Sequence, residues 1–271
     1  LIVSYFFVKD IETRNKTQKM TQEKTIGIVG GVGPYAGLDL IRKIFDNTIA
    51  AKDQDHLTIS LISAPSEIED RSSFLLGSQT PNPGHAIADI ILRLEKTGVA
   101  VAGIPCNTAH APNILNAVKS ELRKNNCSVE LLNIIEEVAD YLKAKGFRNV
   151  AVLSTSGLSS TNLYPNALKS RGLNSITLDK ELQKNVHDSI YNPDYGVKAR
   201  SNPPSPEAKA ILENAIDKLK DYGIDAVVLG CTELPLAFPE KTEHGVAIID
   251  ATRILARALI RETAPRKLKA E

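Results

Sequence analysis

Two segments of the chain share one pattern: Gly98-Val-Ala-Val-Ala-Gly-Ile-Pro-Cys106 and Gly223-Ile-Asp-Ala-Val-Val-Leu-Gly-Cys231. Each is a glycine, a mostly apolar run and a cysteine at an offset of eight, and the two cysteines stand 125 positions apart. An apolar run that stops at Cys and a small hydroxyl or amide residue reads as a buried parallel strand delivering a thiol at its C-terminal edge. That is the edge on which open α/β sheets place their ligands. Two such edges in one chain predict two thiols facing one another across a cleft.

Strand-like runs alternate with helical patterns along the chain, as parallel sheets with crossover helices require. In the first half, strands are expected at Ile26 to Val29, Leu57 to Ile62 and Val99 to Ile104, and helices at Tyr35 to Ala50 and Gly84 to Lys96. The first helix is expected to bury Leu38, Ile41, Ile44 and Phe45 on one face. The second half repeats the programme with strands Val150 to Leu153 and Ala226 to Leu229, and helices Ile135 to Lys145, Pro165 to Arg171 and Pro206 to Tyr222. Gly33 to Cys106 spans 73 positions and Gly157 to Cys231 spans 74, a repeat length that indicates duplicated domains rather than a solenoid.

The expected fold class is therefore α/β, with two pseudo-symmetric domains, each a mainly parallel sheet flanked by helices, and the active site in the cleft between them. Residues 25–128 with 242–271 are expected to form the first domain and 129–241 the second. A last helix, from Asp250 as N-cap to about Glu262, should pack back on the first domain. Residues 1–24 read as an extra N-terminal segment. It opens Leu1-Ile-Val-Ser-Tyr-Phe-Phe, and the only Met, Met20, lies directly before the first strand. The preferred reading puts the functional start at Met20, the alternative being a short strand or arm; the segment lacks the basic region and cleavage site of a secretory signal.

With 271 residues there is enough chain for two cores. The 33 basic and 32 acidic residues are interleaved and give no reason to expect a nucleic-acid partner. No apolar stretch approaches the roughly 20 residues that cross a bilayer, so no membrane partner is expected. Three cysteines are too few for a disulfide scaffold and point to a reducing cytoplasm.

Gly30-Gly31-Val32-Gly33-Pro34 follows the first strand and opens a helix, with Pro34 at the first helical position. Such a turn offers backbone N–H groups to an anion. Its glycines satisfy a dinucleotide fingerprint formally, but the acid that should end the second strand is missing, because that strand ends Leu61-Ile62-Ser63-Ala64.

A thiol at a strand end can be inert core, metal ligand, nucleophile or acid/base. Matched positions in duplicated halves favour function for Cys106 and Cys231, whereas Cys127, in a polar stretch, reads as incidental. Cys106 with His110 and Cys231 would make an irregular metal site with no Cys-x2-Cys pair, and no metal is expected. His110 either tunes Cys106 or holds its loop. The option that uses both thiols alike is inversion of a carbon acid, in which a thiolate removes a proton from one face and a thiol returns one to the other. Asn107, Thr108 and Thr232 supply donors where a carboxylate could dock.

The strings Gly30-Gly-Val-Gly-Pro, Cys106-Asn-Thr-Ala-His and Gly230-Cys-Thr-Glu-Leu-Pro resemble the hallmark motifs of the aspartate/glutamate racemase family, in its cofactor-independent aspartate racemase branch. The resemblance runs from about Ile26 to Arg257. It implies Cys106 and Cys231 as the acid/base pair and an acidic amino acid, aspartate or glutamate, as substrate, with no cofactor. It also implies Arg71, in Asp70-Arg71-Ser72, and Lys198, in Gly196-Val-Lys198-Ala, as carboxylate binders. Val32 stands where the family often has Met, and Ser72 where it has Thr. Thr155, within Ser154-Thr155-Ser156, takes the place of the glycine loop in the second half; it joins Val32 and Glu233 among the expected substrate contacts. A homodimer is the expected assembly.

Two other readings stand beside the racemase. One is a related enzyme: a maleate isomerase, a hydantoin racemase or an arylmalonate decarboxylase, the last needing only one of the thiols. The other is a non-catalytic amino-acid-binding protein on the same scaffold.

Overall fold

The structure is a computed structural model that describes residues 24–238 and 245–271. The expected N-terminal segment, with its start at Met20, lies outside the described residues except for Lys24.

Among the described residues eight strands form two four-stranded sheets, parallel throughout. The first holds β1 (Thr25–Gly30), β2 (Ile59–Ser63), β3 (Val99–Gly103) and β4 (Glu130–Leu131) in the order β2-β1-β3-β4. The second holds β5 (Asn149–Leu153), β6 (Asn174–Ile176), β7 (Ala226–Leu229) and β8 (Ala247–Asp250) in the order β6-β5-β7-β8. The two orders are the same when numbered within each half, which is the expected duplicated α/β plan. Ile26, Ile28 and Val29 in β1 and all of β7 are buried, as strands covered on both faces must be.

Eleven α-helices accompany the strands among the described residues. In the first half these are α1 (Pro34–Asn47), α2 (Arg71–Leu75), α3 (Pro83–Glu95) and α4 (Pro112–Lys124). Next come α5 (Ile134–Ala144), α6 (Ser156–Ser159), α7 (Leu163–Lys169), α8 (Lys180–Tyr191), α9 (Pro206–Lys220), α10 (Leu234–Ala237) and α11 (Ala251–Thr263). The outer face of the first sheet is covered by α3 and α4, whose Ile87, Ile90, Ile91 and Val118 pack with Val29 and Val99. The outer face of the second is covered by α8 and α9 through Leu182, Val186, Leu212 and Ile216. Between the sheets a third core is continuous, with Ile134 and Val138 of α5 and Leu255 and Leu259 of α11 joining Ile28 and Val101 on one side to Val150 and Val228 on the other.

Strand pairing places the crossings between halves later than the expected boundaries of 128 and 241. Glu130 and Leu131 still pair with β3, and Ala247–Asp250 pair with β7, so the chain returns to the first sheet only with α11. That helix begins as expected, with Asp250 accepting from the N–H groups of Thr252 and Arg253, and packs on α1 and β3.

The expected buried face of α1 needs correction. Leu38 is 56% exposed and Phe45 38%, whereas Ala36, Asp39, Leu40, Lys43 and Ile44 face inward. Lys43 forms ion pairs with both Asp39 and Asp250, tying α1 to the start of α11. A face that includes a buried ion triad is misplaced by a count of apolar side chains alone.

Candidate active site

In each sheet the chain leaves the two central strands at their C-terminal ends, where adjacent strands send their connections apart and open a crevice. After β1 comes the glycine loop, and after β3 comes Cys106. After β5 comes Thr155, and after β7 comes Cys231. All four loops border one cavity. Val32 lines it from the first loop, Cys106, Asn107 and Thr108 from the second, Thr155 from the third, and Cys231, Thr232 and Glu233 from the fourth. Arg71, the first residue of α2, and Lys198, just beyond α8, complete the set expected from the sequence. Sequence reasoning missed Ser72 and Tyr191, which also line it. Ser72 is adjacent to Arg71 in a motif already noted, while Tyr191 ends α8 with no local signal to mark it.

Four hydrogen bonds tie the halves together around the cavity. Ser72 Oγ donates to Thr155 Oγ1 at 3.0 Å, and Tyr164 Oη donates to Asn107 Oδ1 at 2.7 Å. Tyr191 Oη donates to Asp70 Oδ2 at 2.8 Å, and Thr232 Oγ1 to the Pro105 carbonyl at 2.8 Å. Gly157 makes the approach possible, because a Cβ there would lie 2.6 Å from Ser72 Cα. The space left is about 10 Å³, room for roughly one water. The site is narrow.

Each thiol has its own cation. Arg71 is 8% exposed and lies against Cys106; its guanidinium donates from Nη2 to the Val32 carbonyl at 3.0 Å and from Nη1 to the Glu69 carbonyl at 3.2 Å. Burial works against its charge, but Cys106 and Asp70 outweigh burial and raise its pKa. Lys198 Nζ pairs with Glu233 Oε1 at 2.8 Å and sits over the Tyr191 ring. Burial opposes that charge too, and Glu233 and Cys231 more than offset it, so the ammonium is held.

The two thiols differ in one respect. Cys231 Sγ donates to Glu233 Oε2 at 3.0 Å. Burial first, and then the Glu233 charge, push the Cys231 thiol well above its ordinary pKa. For Glu233 burial acts upward, but Lys198 and the thiol hydrogen bond dominate and lower its pKa, so it is a buried carboxylate. Its Oε1 packs against Gly33, the N-cap of α1, where a Cβ would overlap it.

Two of the lining residues carry a buried donor with no hydrogen-bond partner: Arg71 Nε and Asn107 Nδ2. His110 does not line the cavity; its Nδ1 lies 2.9 Å from the Cys106 carbonyl and burial lowers its pKa, so it holds the loop as a neutral ring. Cys127 lies apart, after α4. Among the described residues no group of three or more His, Cys, Asp or Glu side chains could hold a metal, and no helix is long and apolar enough to cross a membrane.

Comparison with known proteins gives a consistent picture. The family described as Asp/Glu/Hydantoin racemase matches residues 29–259. An aspartate racemase structure from Picrophilus torridus is 33% identical, with a TM-score of 0.76 over 91% of this chain and 96% of that one. The broad specificity amino-acid racemase RacX of Bacillus subtilis (strain 168) is 25% identical over 242 residues, 87% of this chain and 96% of that protein. A glutamate racemase of Pseudomonas aeruginosa (strain UCBPP-PA14) is 28% identical over 188 residues, 68% of this chain and 64% of that protein.

Proposed function

The chain belongs to the Asp/Glu/hydantoin racemase family, and from that premise we propose that it is a cofactor-independent aspartate racemase in which Cys106 and Cys231 are the two acid/base groups. One observation carries the reading: both strand-end thiols, from different sheets, line a single cavity together with Arg71 and Lys198. Two cations suit a substrate with two carboxylates, each of which needs a charged partner once water is removed.

In one direction Cys106, as a thiolate beside Arg71, takes the α-proton from one face of the substrate and becomes a thiol. The electron pair left on Cα takes a proton from the Cys231 thiol on the opposite face. Product leaves with Cys106 protonated and Cys231 as the thiolate, and the reverse direction exchanges the roles. The raised pKa of Cys231, from burial and Glu233, supports its starting as the acid. Arg71 Nε and Asn107 Nδ2 are donors available to a substrate carboxylate.

An amino diacid is far larger than the space left among these side chains, so substrate enters when the halves part and some of the four bridging hydrogen bonds open. Binding of this kind, in which closure excludes water, strengthens the charges that act on the reacting carbon.

The test is incubation of the purified protein with L-aspartate, and separately with L-glutamate, without added cofactor, followed by chiral chromatography. The expected result is conversion to the D-enantiomer, with aspartate preferred. No conversion of either acid in either direction contradicts the proposal.

A further inference from the structure

Glu233 carries the wrong charge to bind a carboxylate, yet it stands at the centre of a cavity suited to a diacid. It is 3% exposed and is the one carboxylate lining that cavity among the described residues. Its two oxygens are engaged differently, Oε1 with the Lys198 ammonium and Oε2 with the Cys231 thiol. We infer that Glu233 receives the α-ammonium group of the substrate, which enters by splitting the Lys198–Glu233 ion pair. This assignment rests on the amino-acid racemase reading.

Position supports it. The sulfur of Cys231 must reach Cα to exchange a proton there, and Glu233 touches that sulfur. The substrate cation one bond from Cα is its ammonium. A zwitterion set between Lys198 and Glu233 replaces one ion pair with two: a carboxylate on Lys198 and the ammonium on Glu233. Arg71 and Asn107, each with a buried donor lacking a protein partner, remain for the other carboxylate. Every charge on an amino diacid then has a counterpart, whereas a plain diacid leaves Glu233 a buried charge facing a dianion. Gly33 belongs to the arrangement, since only a residue without Cβ leaves room for Oε1.

The experiment compares aspartate with succinate, the same diacid without the ammonium, binding to the wild-type protein and to Glu233→Gln by titration calorimetry. Glutamate and glutarate form a second pair. The wild-type protein should prefer the amino acid. The variant should bind aspartate about 10–100-fold more weakly, the loss of one charge-assisted hydrogen bond, while succinate binds more tightly because Lys198 is released and the repelling charge is gone. Glu233→Asp, which withdraws the same carboxylate by one methylene without removing its charge, should shift the preference in the same direction and serves if Glu233→Gln does not fold. Equal weakening of both ligands, or an unchanged preference, overturns the inference. A wild-type protein that binds neither pair overturns the amino-diacid reading itself.

Discussion

Cys231 donates its thiol hydrogen to Glu233 at 3.0 Å, so one of the two proposed acid/base groups rests against a buried carboxylate. Burial and that carboxylate keep Cys231 protonated above the range of an ordinary thiol. A group needed as an acid limits the rate as pH rises through its pKa. In the direction that uses Cys231 as the acid, kcat/KM should therefore hold into alkaline solution. Glu233→Gln removes the neighbouring charge and should move the alkaline fall to lower pH. An unmoved or upward-shifted limb in the pH–rate profile would show that Glu233 does not set the protonation of Cys231.

Cys106→Ala and Cys231→Ala should each lower racemisation by about 10²–10⁴-fold, the usual contribution of a positioned acid or base. The two losses should not be alike. Each variant retains one thiol and should exchange the α-proton of one enantiomer with solvent, the enantiomer differing between them. The measurement is proton NMR of L- and D-aspartate in D2O. Exchange of the same enantiomer by both variants would argue against thiols on opposite faces.

Gly157 meets Ser72 so closely that a Cβ would lie 2.6 Å from Ser72 Cα. Gly157 is not at a positive φ, so alanine is tolerated by its own backbone and strikes only the facing half. Gly157→Ala should impair closure, with a penalty of about 1–3 kcal/mol. Steady-state kinetics should report a lower kcat/KM from a folded protein, and a wild-type value would mean that closure at this contact is not needed.

Much of this site is readable from sequence because its parts are strand ends and loops with local signatures. Cys106 and Cys231 follow apolar runs, and Gly33 precedes Pro34 at a helix start, so each announces its position without knowledge of the partner half. Tyr191 does not. It reaches the cavity only because α8 packs to end there, and its hydrogen bond to Asp70 joins positions with no pattern in common. The strands β4 and β6, of two and three residues, are too short to carry periodicity. The orientation of α1 was hidden by Lys43, whose burial depends on Asp250 arriving from the far end of the chain.

That ion triad also yields a stability prediction. Lys43→Met removes the cation that Asp39 and Asp250 share, while Arg42 still pairs with Asp39 and the Thr252 and Arg253 N–H groups still donate to Asp250. Losing the charge-assisted hydrogen bonds of one buried cation costs about 1–3 kcal/mol. The urea midpoint should fall while the specific activity of the folded fraction is kept. A midpoint within error of wild type would show that the triad contributes little to stability.

The most direct test of the two-base assignment is the fate of deuterium during the first few per cent of reaction, with L-aspartate converted in D2O. Two opposed thiols predict that newly formed D-aspartate carries deuterium at Cα while recovered L-aspartate still carries hydrogen. Deuterium appearing in recovered L-aspartate as fast as in product, or product that retains the original hydrogen, would contradict the account.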